Sequence, residues 1–160
     1  MPYNNALNTI AADTLESLAM MFLVPPEEAP RSSGPLVRAG VTFTGPFEGS
    51  VEVSVSAQLL PELAGNMLGT FDPESISLED QHDALKELAN VVCGNILPHV
   101  GGAEAIFHVG APQLLAGDAQ IDGDPDWVLA GQTQVFAELG KVKAVFHADP
   151  CVMSSTRAVA

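Results

Sequence analysis

The stretch from Asp83 to Asn95, Asp-Ala-Leu-Lys-Glu-Leu-Ala-Asn-Val-Val-Cys-Gly-Asn, constrains this chain more than any other. As an α-helix turning about 100° per residue, it carries Ala84, Leu85, Leu88, Ala89, Val91, Val92, Cys93 and Ile96 on one broad apolar flank. The same turn gathers Asp83, Glu87, Asn90 and Gly94 within about 60° of one another on the other side. A polar stripe of this kind is ordinarily the solvated face of an amphipathic helix. Two of its members are poor choices for helix stability. Asn competes for backbone hydrogen bonds, and Gly costs about 1 kcal/mol relative to Ala, so the stripe is also a candidate for function.

The rest of the sequence bounds what such a helix belongs to. A chain of 160 residues with 47% hydrophobic and 16% charged residues is long and apolar enough for one globular domain, 1–160, with a real core. No apolar run reaches membrane-spanning length and no signal-peptide pattern opens the chain, so the expected location is cytoplasmic. The net charge of −14 argues against nucleic acid and anionic membranes as partners, because phosphate binding draws on clustered Lys and Arg. Of the six basic residues, Arg31, Arg38, Lys86, Lys141, Lys143 and Arg157, only the two lysines at 141 and 143 sit close together. Cys93 and Cys151 do not make a disulfide framework or a zinc site; Cys93, on the apolar flank, reads as a small buried hydrophobe.

Taken in order, 4–22 reads as a first helix with Asn4 or Asn5 as its cap and Phe22 on its apolar side. Within it, Asp13, Glu16 and Ala19 look like a faded copy of the later stripe, with Ala where the Asn would stand. Residues 24–35, rich in proline, read as a mobile loop. The stretches 36–43 and 49–56 alternate apolar and polar residues around Gly45-Pro46 and predict a β-hairpin, with Val51, Val53 and Val55 facing the helices. A short helix follows over 57–68, with Ser56 as its candidate cap. Ser77, three residues before Asp80, caps the central helix, which stops at Pro98 or at Gly101-Gly102. A strand over 105–109, a second hairpin from 132–139 and 141–148, and a loose tail over 150–160 complete the chain. The expected fold class is α+β: an antiparallel β-sheet with two long α-helices packed on one face.

No phosphate-binding loop, nucleophile elbow or zinc-protease helix occurs in the sequence, so an enzyme here would bring no nucleophile or metal of its own. Asp118, Asp122, Asp124 and Asp126 cluster between Gly117 and Asp126 but lack EF-hand spacing, which leaves an acidic surface turn as their main reading. His82, His99, His108 and His147 are scattered over four elements. A small-ligand or metal-dependent enzyme using the aspartate-rich loop and His147 is the weaker of the alternatives.

Asp83-x-x-x-Glu87-x-x-Asn90, continuing into Gly94-Asn95 and followed by Pro112, resembles the signature of the CheC/CheX/FliY family of chemotaxis phosphatases. CheX-like members are the nearest in kind. Pro112 comes one residue earlier than the family pattern, a shift most simply placed at Gly101-Gly102. The resemblance implies a CheC-like fold, a homodimer joined through its sheets, and a phosphorylated CheY-like receiver domain as partner. It implies that Glu87 and Asn90 are catalytic and that Asp83, Lys86 and Gly94 contact the partner. No cofactor belongs to the chain itself; Mg2+ is expected in the receiver. The resemblance also leaves open a non-catalytic binding module, since the same fold serves in flagellar switch proteins.

Overall fold

Alternation in four stretches of the chain builds the sheet that everything else rests on. In a computed structural model, which describes residues 1–31, 34–70 and 72–154, seven strands pair into one antiparallel sheet. They are β1 (Leu23–Val24), β2 (Leu36–Thr44), β3 (Gly49–Ser56), β4 (His108–Val109), β5 (Gln113–Leu115), β6 (Val128–Ala137) and β7 (Gly140–Ala148). Their order is β1-β6-β7-β3-β2-β4, with β5 also on β2. Two hairpins, β2-β3 and β6-β7, are joined side by side through β3 and β7, where Val51 faces Phe146 and Val53 faces Ala144.

The period of two sorts each strand into an inner and an outer set. Ala39, Val41 and Phe43 of β2, Val51, Val53 and Val55 of β3, and Val142, Ala144 and Phe146 of β7 are all buried in a single core. Three helices complete that core: α1 (Asn4–Ser17), α2 (Leu60–Leu68) and α3 (Leu78–Gly101). Helix α1 lies along β6, α3 crosses β2 and β3, and α2 packs against α3. Full burial of an α3 leucine such as Leu85 or Leu88 contributes about 1.5–3 kcal/mol, which helps seat the helix on the sheet.

Several boundaries differ from the sequence reading for physical reasons. Helix α1 ends at Ser17, not at Phe22; Met20 takes a positive φ of 48°, and Phe22 projects into solvent at 92% exposure. Asn4 does not cap α1. Its side-chain oxygen accepts from the Gln132 N–H, and together with the bond from Tyr3 N–H to the Ala130 carbonyl it pins the start of the helix to β6. Ser56 does not cap α2, which begins later, at Leu60; its hydroxyl instead accepts from Lys141 N–H at 2.9 Å. The expected strand over 105–109 is reduced to β4. Antiparallel pairing with β2 resumes at β5 after a break at 110–112, with Pro112 just before it.

Of the loop over 24–35, Val24 pairs with Phe136 and Pro26–Glu28 form a 3-10 turn, while Ser32 and Ser33 lie outside the described residues. The tail is not loose where it begins. Residues 151–154 make a helical turn, Val152 is fully buried, and its carbonyl accepts from the Tyr3 hydroxyl. Residues 155–160 lie outside the described residues.

Candidate functional site

Helix α3 begins as its sequence requires. The Ser77 side chain accepts from Asp80 N–H at 3.0 Å, and Glu79 and Asp80 place negative charge at the positive end of the helix dipole. The helix then runs 24 residues to Gly101, passing through Pro98. An interior proline costs about 3 kcal/mol in an exposed helix. Here the turn around it buries Leu97 and Val100, which offsets much of that cost. The end comes at Gly102, whose φ of 89° suits a residue without a Cβ, while bare Gly101 leaves room for the Phe107 ring.

Seven of the eight apolar-flank residues are buried, and Val91 is half-buried. On the opposite side Asp83, Glu87 and Gly94 are exposed and Asn90 is half-buried. At about 1.5 Å rise per residue the four extend over roughly 16 Å of one ridge, with Glu87 and Asn90 separated by about 4.5 Å along the axis. Asp83 is tied to Lys86, Oδ1 to Nζ at 3.4 Å, which occupies the one cation of the ridge. Among the described residues, neither the Glu87 carboxylate nor the Asn90 carboxamide has a hydrogen bond or ion pair within the chain. Both are therefore available to a group brought from outside.

Gly94 is flat and open; a Cβ built there meets nothing within 4 Å. Pro98, four residues on, has no N–H to give the Gly94 carbonyl, so that carbonyl lacks its usual i+4 donor. In the sequence Pro98 reads as a stop signal, yet the helix continues through it to Gly101. The faded copy in α1 offers no equivalent ridge. Glu16 is exposed, but the helix ends one residue later and Ala19 is fully buried.

Cys93 faces the core, and burial pushes its thiol up to about 12, so it stays protonated and unreactive at neutral pH. Among the described residues, no group of three or more His, Cys, Asp or Glu side chains is arranged to hold a metal ion. No helix among them is long and apolar enough to cross a membrane. Asp124 and His147, far apart in sequence, do line one cleft, on the side of the sheet away from α3.

Residues 37–125 match a family model described as chemotaxis phosphatase CheX. Among curated proteins none matches the chain. Solved structures do. The chemotaxis protein CheX of Desulfovibrio desulfuricans is 20% identical, with a TM-score of 0.67 over 91% of this chain and 97% of that one. CheX of Vibrio vulnificus is 18% identical, with a TM-score of 0.68 over 91% and 95%. The CheX–CheY–BeF3–Mg2+ complex of Borrelia burgdorferi matches at 12% identity and a TM-score of 0.60, over 91% and 96%.

Proposed function

Since the chain belongs to the CheX family of chemotaxis phosphatases, we propose that it hydrolyses the aspartyl phosphate of a CheY-like receiver domain by inserting the α3 ridge into the receiver's active site. The observation that carries this reading is the pair of uncommitted polar groups, Glu87 and Asn90, on an accessible helix face. The complex of the Borrelia burgdorferi relative with CheY supports the choice of partner.

An acyl phosphate is already activated. What its hydrolysis lacks is a water held in line with the leaving carboxylate, and positioning is most of what phosphoryl transfer asks of a protein. A carboxamide does this without gaining or losing a proton, accepting through its oxygen or donating through its nitrogen. Asn90 is assigned that role. Glu87, one turn earlier, binds the receiver's lysine and sets the docking register. Asp83 and Lys86 make peripheral contacts, and Gly94 lets the partner backbone come close. This chain supplies no cofactor; the divalent cation that neutralises the phosphoryl oxygens is the receiver's own. The same reading carries a cytoplasmic location and a homodimer joined through the sheets, which sedimentation of the purified protein tests directly.

The deciding assay measures phosphate release from CheY-like receivers of the same organism, charged with acetyl phosphate. Acceleration over autohydrolysis with at least one receiver is the expected result. No acceleration with any of them, together with binding to one, would leave a non-catalytic module in its place.

A further inference from the structure

On the outer face of the sheet, the loop between β5 and β6 folds back over the strands and leaves a cleft of about 620 Å³. That size suits a small organic molecule. Arg38 ties the loop to the sheet. Arg38 donates to the Gly117 carbonyl at 2.7 Å and the Ala119 carbonyl at 2.9 Å, and pairs with Glu52 at 2.7 Å. Gly40 lets it lie flat, because a Cβ there would collide with the Ile121 side chain. The cleft is thus built into the fold, with walls that both the loop and the sheet supply.

Its lining divides by chemistry. Ile121, Pro125, Trp127, Leu129 and Val145 form an apolar body. Lys143 and His147 stand on the same face of β7, both half-buried, and neither has an ion-pair partner among the described residues. The two carboxylates of the lining are placed differently. Glu52 is neutralised by Arg38, and Asp124 is exposed at the rim, where its Oδ1 accepts from Asp126 N–H. The surplus group on the sheet is therefore a cation. Of the six Lys and Arg of the chain, Arg38 and Lys143 line this cleft, and Lys143 is the one that Glu52 does not pair.

From this arrangement we infer that the outer cleft is a binding site for a small carboxylate with an apolar, aromatic-sized body. Its carboxylate sits on Lys143, and its body lies between Trp127 and Ile121. A charge-assisted bond to a partly desolvated ammonium is about twice as strong as a neutral one, and the apolar walls exclude water from it. The site lies across the sheet from the α3 ridge and does not depend on the reading given to that ridge.

Trp127 is the single tryptophan of the chain, so its emission reports occupancy. Titration of the protein with phenylacetate gives a saturable change in that emission. Phenylacetamide binds at least tenfold more weakly, and acetate gives no saturable change. Lys143→Gln brings phenylacetate down to the level of the amide and leaves the amide unchanged, with far-ultraviolet circular dichroism as the check of folding. Gly40→Val, which pushes Ile121 away, weakens both. Equal binding of acid and amide, undiminished phenylacetate binding by Lys143→Gln, or no saturable response at all would each overturn the proposal.

Discussion

Replacing Asn90 by Ala separates a role in catalysis from a role in folding, because the two effects carry opposite signs. The carboxamide is half-buried and makes no hydrogen bond among the described residues, so truncation leaves no buried partner there unsatisfied. Alanine is the better helix former by about 0.5 kcal/mol. For a domain of this size that is a rise in Tm of about 1–2 °C. Removing one positioned hydrogen-bonding group from a reaction centre costs about 10²–10³ in rate, or about 2.7–4 kcal/mol of transition-state stabilisation. The expected variant is therefore equal or higher in Tm and slower by two to three orders of magnitude in releasing phosphate from a charged receiver. Single-turnover kinetics at saturating enzyme, beside a thermal melt, read both. A variant that kept full rate would refute the water-positioning assignment. One that lost rate in step with Tm would show that Asn90 acts by holding the helix.

Glu87→Gln should raise the receiver concentration needed for half-maximal rate about tenfold while leaving the turnover of the bound complex nearer to wild type, as measured by steady-state titration; the reverse pattern would make Glu87 part of the chemical step. Gly94→Ala should stabilise α3 by about 1 kcal/mol, raising Tm by about 2–4 °C, because a Cβ there meets nothing within 4 Å. Gly94→Phe should instead weaken receiver binding with little change in Tm. Leu88→Ala should cost about 2–5 kcal/mol in urea unfolding, since the side chain is only 1% exposed. Burial raises the Cys93 thiol from 9.0 to about 12, so the unfolded chain loses that proton first. Its contribution is fully present below pH 9 and falls away as pH rises towards 12, a slope that Cys93→Ala should flatten in urea melts across that window.

The ridge was legible because its signal is local. A helical period of 3.6 residues fixes which side chains share a face whatever the helix packs against, so the grouping of Asp83, Glu87, Asn90 and Gly94 needed no tertiary information. The inner faces of β2, β3 and β7 were legible for the same reason. Leu18 and Phe22 continue the apolar period of the first helix, yet the chain leaves the helix at Ser17 and turns through Met20 to reach β1. Ser56 reads as a helix cap because a hydroxyl before a helix and a hydroxyl bridging to a neighbouring strand look alike in sequence; only the arrival of Lys141 decides between them.

Alternation and helical period, both properties of consecutive residues, determined the α+β class, the central helix with its Ser77 cap, and the side of that helix on which the candidate groups stand. Tertiary structure decided what consecutive residues do not encode. It set the joining of two hairpins through β3 and β7, the passage of α3 through Pro98, and the pairing of residues 108–109 and 113–115 with β2. It also decided that Arg38 reaches across some eighty positions to hold the loop over the outer cleft. The physical reason is that a side chain's choice of partner over such separations depends on the shape and register of the whole sheet, which no window of neighbouring residues contains.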